Sequence, residues 1–258
     1  MNNEKKLVPK LRFPEFTHAW EQRKLKDLGK IITGNTPSTS DDENYEDNGL
    51  LWVTPTDIKE QITTKTAKQL SEIGKQLARV LPPNSILVTC IASIGKNTLI
   101  TTEGSCNQQI NALIPYKEYE PYFLLTLSEF WSKKMKVIAG AGAMNIVNKT
   151  MFSEIETTIP KLEEQQKIGA FFTALDRYIT IHQRKLENIQ KLKKSLLQKM
   201  FPKNDQEFPE IRFPEFTYAW EQRKLGEITN SYLGGTPSVS NRNYYGGNIP
   251  FIRSGEIS

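Results

Sequence analysis

Side chains able to do chemistry are scarce in this sequence. Cys90, Cys106, His18 and His182 are the whole stock of thiols and imidazoles, and no C-x-x-C pair occurs. With only two histidines a His-rich metal site is not available, and no metal site is expected. A Ser-His-Asp triad would have to use one of the two histidines. His18 lies in a motif whose second copy carries Tyr218, so an imidazole is not required there, and His182 falls inside a helical pattern. Gly95-Lys96-Asn97-Thr98 looks like the end of a phosphate-binding loop, but Cys90 stands where its first glycine belongs. No G-x-G-x-x-G turn is present for a nucleotide cofactor. The Asn/Asp-Pro-Pro-Tyr/Phe motif of amino-methyl transfer is also missing, because Pro82-Pro83-Asn84 runs in the wrong order. Asp57-Ile58-Lys59 has the acidic-x-Lys pattern of metal-dependent nucleases, yet Glu256-Ile257-Ser258 replaces it in a second copy without the lysine. The expectation is a chain with no catalytic residue and no cofactor of its own.

Length and composition suit a globular protein. The chain has 258 residues, 38% of them apolar and 24% charged, with mean hydropathy −0.50. That is room for one large domain or two smaller ones. No apolar run approaches the about 18–20 residues of a membrane span. Met1–Lys6 has no apolar stretch behind it, so no leader and no membrane association are expected. The two cysteines fit a reducing, cytoplasmic setting. Net charge is +5, and it is localised: residues 161–200 hold nine basic and four acidic side chains, so the rest sums to zero. Such an excess points toward nucleic acid or toward a solvated helix face.

An internal repeat organises the chain. Residues 11–25, LRFPEFTHAWEQRKL, return as residues 211–225 with thirteen of fifteen positions identical. Gly34-Asn35-Thr36-Pro37-Ser38 matches Gly234-Gly235-Thr236-Pro237-Ser238 at the same offset of 200. So long a period means tandem domains rather than a solenoid. The second copy runs for about 50 residues to Ser258, so one full copy and one incomplete copy are expected. Arg-Phe-Pro-Glu-Phe should be extended, because the residue before proline is pushed out of the α region. Phe13, Phe16 and Trp20 are read as packing residues that clamp an arm onto a core.

Within the first copy, residues 50–58 read as a strand running into a turn at Pro55, 66–79 as a short helix, and 85–94 as a strand ending in the turn 93–97. Residues 98–101 and 109–114 read as further strands, 121–137 as an amphipathic helix and 140–143 as a flexible loop. Mixed strands and helices predict an α/β or α+β domain. The expected division is an arm at 1–19, a first domain at 20–160, a long helix at 161–202, and a linker with an incomplete second domain at 203–258.

The long helix is the strongest periodic signal. Pro160 and the acidic pair Glu163 and Glu164 suit its start. Ile168, Phe172, Leu175, Ile179, His182, Leu186, Ile189, Lys193, Leu196 and Met200 follow at alternating steps of four and three, which is a heptad seam. From 163 to 200 the helix would be about 57 Å long. Its seam calls for a partner helix. His182 and Lys193 either set register within the seam or lie at its edge with their polar heads in water.

Tandem domains introduced by one arm and separated by a heptad helix resemble the specificity (S) subunits of Type I restriction-modification systems. Pro160-Lys161-Leu162-Glu163-Glu164-Gln165-Gln166-Lys167-Ile168 is similar to the start of that family's conserved spacer helix, and Phe171-Phe172-Thr173-Ala174-Leu175-Asp176 follows it. Ser93-Ile94-Gly95-Lys96, Asn107-Gln108-Gln109-Ile110, Leu113-Ile114-Pro115, Trp20-Glu21-Gln22-Arg23-Lys24-Leu25 and Gly34-Asn35-Thr36-Pro37 add to the likeness. The resemblance covers nearly the whole chain.

What the resemblance implies is a non-catalytic reader of double-stranded DNA, whose target recognition domains each read half of a bipartite site. Two antiparallel spacer helices hold those domains apart. Methyltransferase (M) subunits bring S-adenosylmethionine, and restriction (R) subunits bring ATP- and Mg-dependent chemistry. This sequence has one full recognition domain and one spacer helix. The helix is therefore expected to pair antiparallel with its copy in a homodimer, which would demand an inverted-repeat target. The alternative is a stand-alone dimeric DNA-binding regulator. Base edges are read by Arg, Lys, Asn, Gln, Ser and Thr. The candidate readers are Asn35, Thr36, Thr54, Thr56, Ser93, Lys96, Asn97, Asn107, Gln108, Asn145 and Lys149, each of which could equally be ordinary turn chemistry.

Overall fold

Residues 8–140, 145–203 and 206–256 are described in a computed structural model of the chain. The loop expected at 140–143 lies, past Gly140, outside the described residues, and Gly140 itself ends a helix. The chain divides into two units, Met1–Lys185 and Leu186–Ser258. That division falls inside the long helix rather than at either end of it.

The first unit begins with β1 (Glu21–Lys24), α1 (Leu25–Leu28), β2 (Gly29–Thr33), β3 (Tyr45–Glu46) and β4 (Leu50–Val53). Then come β5 (Ile62–Thr63), β6 (Gln69–Leu70), α2 (Glu72–Leu77), β7 (Ser85–Thr89), β8 (Asn97–Ile100), β9 (Gly104–Cys106) and β10 (Ile110–Pro115). It continues through α3 (Pro121–Gly140), α4 (Lys149–Ser153), β11 (Glu156–Ile159) and the beginning of α5 (Leu162–Met200). A five-stranded sheet runs in the order β2-β10-β7-β8-β5, a four-stranded sheet in the order β3-β6-β4-β9, and β1 pairs with β11. Pairing is antiparallel except for β4 with β9 and β5 with β8. This is an α+β arrangement.

The central strands β7 and β10 are near-continuous apolar runs because both their faces are covered. Side chains alternate across a strand. Ile86, Val88 and Leu113 join Phe123, Trp131 and Met135 of α3 on one side. Leu87, Ile110 and Ala112 join Val53, Leu81 and Ile100 on the other. Trp131 is fully buried and its Nε1 donates to Thr157 Oγ1 at 3.1 Å, tying α3 to β11.

Two expected elements are shorter than their patterns suggested. The strand predicted at 85–94 ends at Thr89, because the backbone N–H of Gly95 donates to the Thr89 carbonyl (2.9 Å) and that of Lys96 to Thr89 Oγ1 (2.9 Å). Gly95 has φ +88°, and a Cβ there would sit 2.8 Å from Ser132 Cβ, so only glycine fits the turn. The helix predicted at 66–79 splits: Gln69 and Leu70 pair with β3 and β4, and the helix starts only after Ser71, whose Oγ caps the Gly74 N–H at 3.2 Å.

The arm is clamped to the start of α5. The Arg12 guanidinium grips Glu164 through Nε to Oε1 (2.8 Å) and Nη2 to Oε2 (2.6 Å), and Trp20 Nε1 donates to the same carboxylate at 3.3 Å. That bidentate bond holds Arg12 above its ordinary pKa. Phe13 packs edge-on to Phe171, Trp20 to Phe123, and the Lys167 ammonium lies 5.0 Å over the Phe13 ring. β1 then adds to β11, and Leu25 plugs into the core.

The helix is continuous over 39 residues. Ile168 packs on the core, whereas Phe172, Leu175, Ile179, Leu186 and Ile189 are exposed. His182 stacks against Tyr178 with ring centres 4.6 Å apart. In the second unit the repeated arm lies against the last turns of the helix. The Ile211 N–H donates to the Lys199 carbonyl (3.0 Å), and Phe201 meets Trp220 edge-on. Short-range structure of the first copy recurs at the offset of 200: α6 (Leu225–Ile228) repeats α1, and Tyr245 donates to the Pro237 carbonyl (2.7 Å) as Tyr45 does to Pro37 (2.8 Å). Among the described residues the second copy has no strand.

Candidate nucleic-acid interface

The sheets bring the polar loops of the first unit to one end. Asn111 faces Thr33, Ile110 faces Thr89, and Asn97 faces Val88, so β2 and β7 end where β8 and β10 begin. The parallel pair β4 and β9 ends beside them. The Asn35 N–H donates to the Cys106 carbonyl (2.9 Å), the Gly34 N–H to Ile110 (3.0 Å) and the Asn107 N–H to Val53 (3.0 Å). Gly34 is required here, because a Cβ would lie 2.2 Å from the Cys106 oxygen. The Ile91–Ile146 bridge draws residues 145–149 to the same edge.

The candidate readers therefore form one linked set of loops, with different amounts of free capacity. Asn35 is engaged internally: its Nδ2 donates to the Leu77 carbonyl (2.8 Å) and its Oδ1 accepts from the Arg79 N–H (2.8 Å). Asn107 is buried, with its side chain on Gln109. Thr54 donates to Asp57 Oδ2 at 2.6 Å and shares a contact with Thr56 at 2.8 Å. Asn97 Nδ2 reaches Ser132 Oγ at 3.4 Å. Thr36 and Gln108 bond to each other at the surface. Thr56, Ser93, Lys96, Asn145 and Lys149 are exposed. Lys96 Nζ lies 3.1 Å from the Pro55 carbonyl, so loops 54–57 and 93–97 touch.

Beside these loops, within the first unit, lies a cleft of about 780 Å³ between residues 58–62 and 95–97 and the face of α5 at 173–184. Lys59, Lys96, Arg177 and Arg184 line it, with Glu60, Glu129 and Asp176. Asp176 accepts from Tyr122 at 2.7 Å. Burial first, and then that bond, push the Tyr122 phenol well above its ordinary range, so it acts as a donor and not as a base. The Gln61 Oε1 in the same cleft is buried without a hydrogen-bond partner.

Arg177 and Arg184 are absent from the sequence-derived set. They lie seven residues apart on the helix face opposite the seam. The charge excess of 161–200 was the signal for them. The seam itself drew attention to the other face.

Nothing in the site favours covalent chemistry. Burial raises the thiol pKa of Cys90 to about 11 and that of Cys106 to about 12, so both stay neutral. No cluster of His, Cys, Asp and Glu that could hold a metal ion is found among the described residues. No helix among them is long and apolar enough to cross a membrane.

Comparisons with known proteins agree with this geometry. A family model described as the Type I restriction modification DNA specificity domain matches residues 18–191. The Type I restriction enzyme MjaIX specificity subunit of Methanocaldococcus jannaschii is 27% identical over 259 residues, covering 91% of this chain and 57% of the relative. The HindI specificity subunit of Haemophilus influenzae is 35% identical over 162 residues, covering 59% of this chain and 35% of the relative. The chain thus spans about half the length of the curated relatives it matches. Two solved structures share the fold. The Type-I restriction-modification S subunit of M. genitalium gives a TM-score of 0.54 at 15% identity, over 71% of this chain and 46% of that one. The HsdS subunit of Thermoanaerobacter tengcongensis gives 0.50 at 21% identity, over 75% and 47%. The family match runs from the arm, across every strand of the first unit, to residue 191 in α5, and on that ground the chain belongs to the Type I restriction modification DNA specificity domain family.

Proposed function

We propose that the chain is a non-catalytic reader of double-stranded DNA that acts as a specificity subunit. The carrying observation is the gathering of loops 34–36, 54–61, 93–97, 107–108 and 145–149 beside a cleft lined by Lys59, Lys96, Arg177 and Arg184. In this reading the cations meet phosphates and fix orientation, while Thr36, Thr56, Ser93, Gln108 and Asn145 present hydroxyls and amides to base edges. Catalysis comes from methyltransferase and restriction subunits in the cytoplasm, which bring S-adenosylmethionine, ATP and Mg.

The second part of the proposal concerns assembly. The exposed seam of α5 pairs antiparallel with that of another copy, giving two identical readers related by a two-fold axis and an inverted-repeat target. Support comes from Leu175, Ile179, Leu186 and Ile189, which the monomer leaves exposed at heptad spacing.

The test is selection of bound sequences from a randomised duplex pool at near-physiological salt, with co-purification of a Type I methyltransferase subunit. Enrichment of one motif and capture of that subunit are expected. Loss of all sequence preference would overturn the reader. Motif enrichment without the methyltransferase subunit would favour the stand-alone regulator.

A further inference from the structure

Thr36 and Gln108 are both exposed, and they stand on two loops whose bases the sheets hold fixed. Thr36 lies between two anchored neighbours. The Asn35 amide bonds at both ends, to the Leu77 carbonyl and the Arg79 N–H, and the Asn35 carbonyl accepts from Trp52 Nε1 at 3.2 Å. The ring of Pro37 locks its φ, and its carbonyl accepts from the Tyr45 hydroxyl at 2.8 Å. Gln108 is the first central residue of a turn that Asn107 closes twice. The Ile110 N–H donates to the Asn107 carbonyl at 3.2 Å, and the Gln109 N–H to Asn107 Oδ1 at 3.1 Å. The Asn35 N–H, donating to the Cys106 carbonyl at 2.9 Å, ties one loop to the other.

Across these loops the Thr36 hydroxyl donates to Gln108 Oε1. A threonine hydroxyl has one proton to give, and a glutamine amide has two N–H donors and two carbonyl lone pairs. The bond therefore spends the Thr36 proton and one lone pair of Oε1. What remains is a donor, Gln108 Nε2, beside acceptors on Oε1 and on Thr36 Oγ1. Turning the amide over changes nothing in kind: Nε2 then donates to Thr36, and its second N–H stands beside a free Oε1. In the major groove, adenine offers an acceptor, N7, next to a donor, the N6 amine. Guanine offers two acceptors and leaves the acceptor half of the pair facing one of them. Thymine offers an acceptor and a methyl group, and cytosine only a donor, so each meets half of the pair.

We infer that Thr36 and Gln108 form one specificity-determining unit that selects adenine, a step that rests on the DNA-reading function proposed for the chain and names the base it reads there. Gln108 Nε2 donates to N7, and Oε1 accepts from the N6 amine. Thr36 is the positioning half. A free glutamine side chain loses rotamer entropy when it is ordered on a base, and the bond from Thr36 imposes that order before DNA arrives. Asn35 and Asn107 serve the same end from beneath, because their amides fix the backbone on which the pair stands.

The test is selection from a randomised duplex pool with the full chain, followed by fluorescence anisotropy on the enriched duplex. The wild-type motif should contain one adenine whose 7-deaza analogue, which lacks the N7 acceptor, binds at least fivefold more weakly. Gln108→Ala should make that position degenerate and leave the others as they are, and the 7-deaza analogue should then cost nothing further. Thr36→Val, which keeps the shape and removes the hydroxyl, should weaken the preference at the same position. Gln108→Glu can only accept, so it should turn the position toward cytosine, whose N4 amine donates. The proposal is overturned if Gln108→Ala keeps the wild-type motif, if the position it loosens is not an A·T pair, or if the 7-deaza cost persists in that variant. A wild-type chain that enriches no motif overturns the DNA-reading function itself, and the adenine contact with it.

Discussion

Leu186→Ala isolates the helix pairing from everything else the chain does. Leu186 is 56% exposed, sits in the middle of the seam and is not a member of the hydrophobic core. Full burial of a leucine side chain contributes about 1.5–3 kcal/mol, so covering the part still exposed is worth about 1–1.5 kcal/mol. A two-fold dimer contains the residue twice, which makes the loss about 2–3 kcal/mol. At about 1.4 kcal/mol per decade, the dimer Kd should rise about 30- to 150-fold. A cavity left at the interface adds to that. Alanine is the best helix former, so the rod itself survives. Sedimentation equilibrium of the full chain reads the effect, with Lys191→Ala, on the opposite helix face, as the control that stays within about twofold of wild type. If Leu186→Ala self-associates like wild type, or if Lys191→Ala weakens it equally, the seam is not the interface.

Three further outcomes are expected. Lys96→Ala should weaken DNA binding uniformly across sequences and reduce the slope of log K against log salt by about 1, as loss of one phosphate contact requires; an unchanged slope removes Lys96 from the backbone contacts. Glu154 is held down at about 2 by its hydrogen bonds to Lys24 and then Lys26. A depressed carboxylate stabilises the fold above its unfolded pKa and loses that contribution as pH falls, here between about 5 and 2. Glu154→Gln should therefore flatten acid denaturation over that window, and an unaltered acid limb would refute the role of the pair. Trp131→Phe strips Thr157 of its donor and opens space in the core, at about 2–4 kcal/mol; differential scanning calorimetry should show Tm lower by about 5–12 °C, and a shift under 2 °C would contradict it.

The parts of the fold legible in the sequence were those set by strong local periodicity. The heptad steps placed α5, and the apolar runs placed β7 and β10. Phe13 and Trp20 were legible as packing residues of the arm; Arg12 was not singled out, and residues 13–16, expected to be extended, form a turn in which the Phe16 N–H donates to the Phe13 carbonyl at 3.2 Å. Residues 66–79 misled, since Gln69 and Leu70 gain more from pairing with β3 and β4 than from joining a helix, and no local signal announces that. Asn35 and Asn107 look like free amides in sequence, but Asn35 ties its loop to Leu77 and Arg79, and Asn107 closes its own turn on Gln109. Arg177 and Arg184 required knowing which face of α5 turns toward loops some 80 to 120 residues away in sequence. The missing strand at 221–224 could not be foreseen from a motif identical to one that forms β1. Pairing is decided by β11, not by the arm.

The most direct measurement of the central claim is the methylome of a host free of Type I systems that expresses this chain together with a Type I methyltransferase subunit. One new methylated motif is expected, an inverted repeat with a fixed spacer, absent when either protein is expressed alone. A complex that forms yet methylates no defined motif, or a motif that appears without this chain, would contradict the assignment of sequence reading to it.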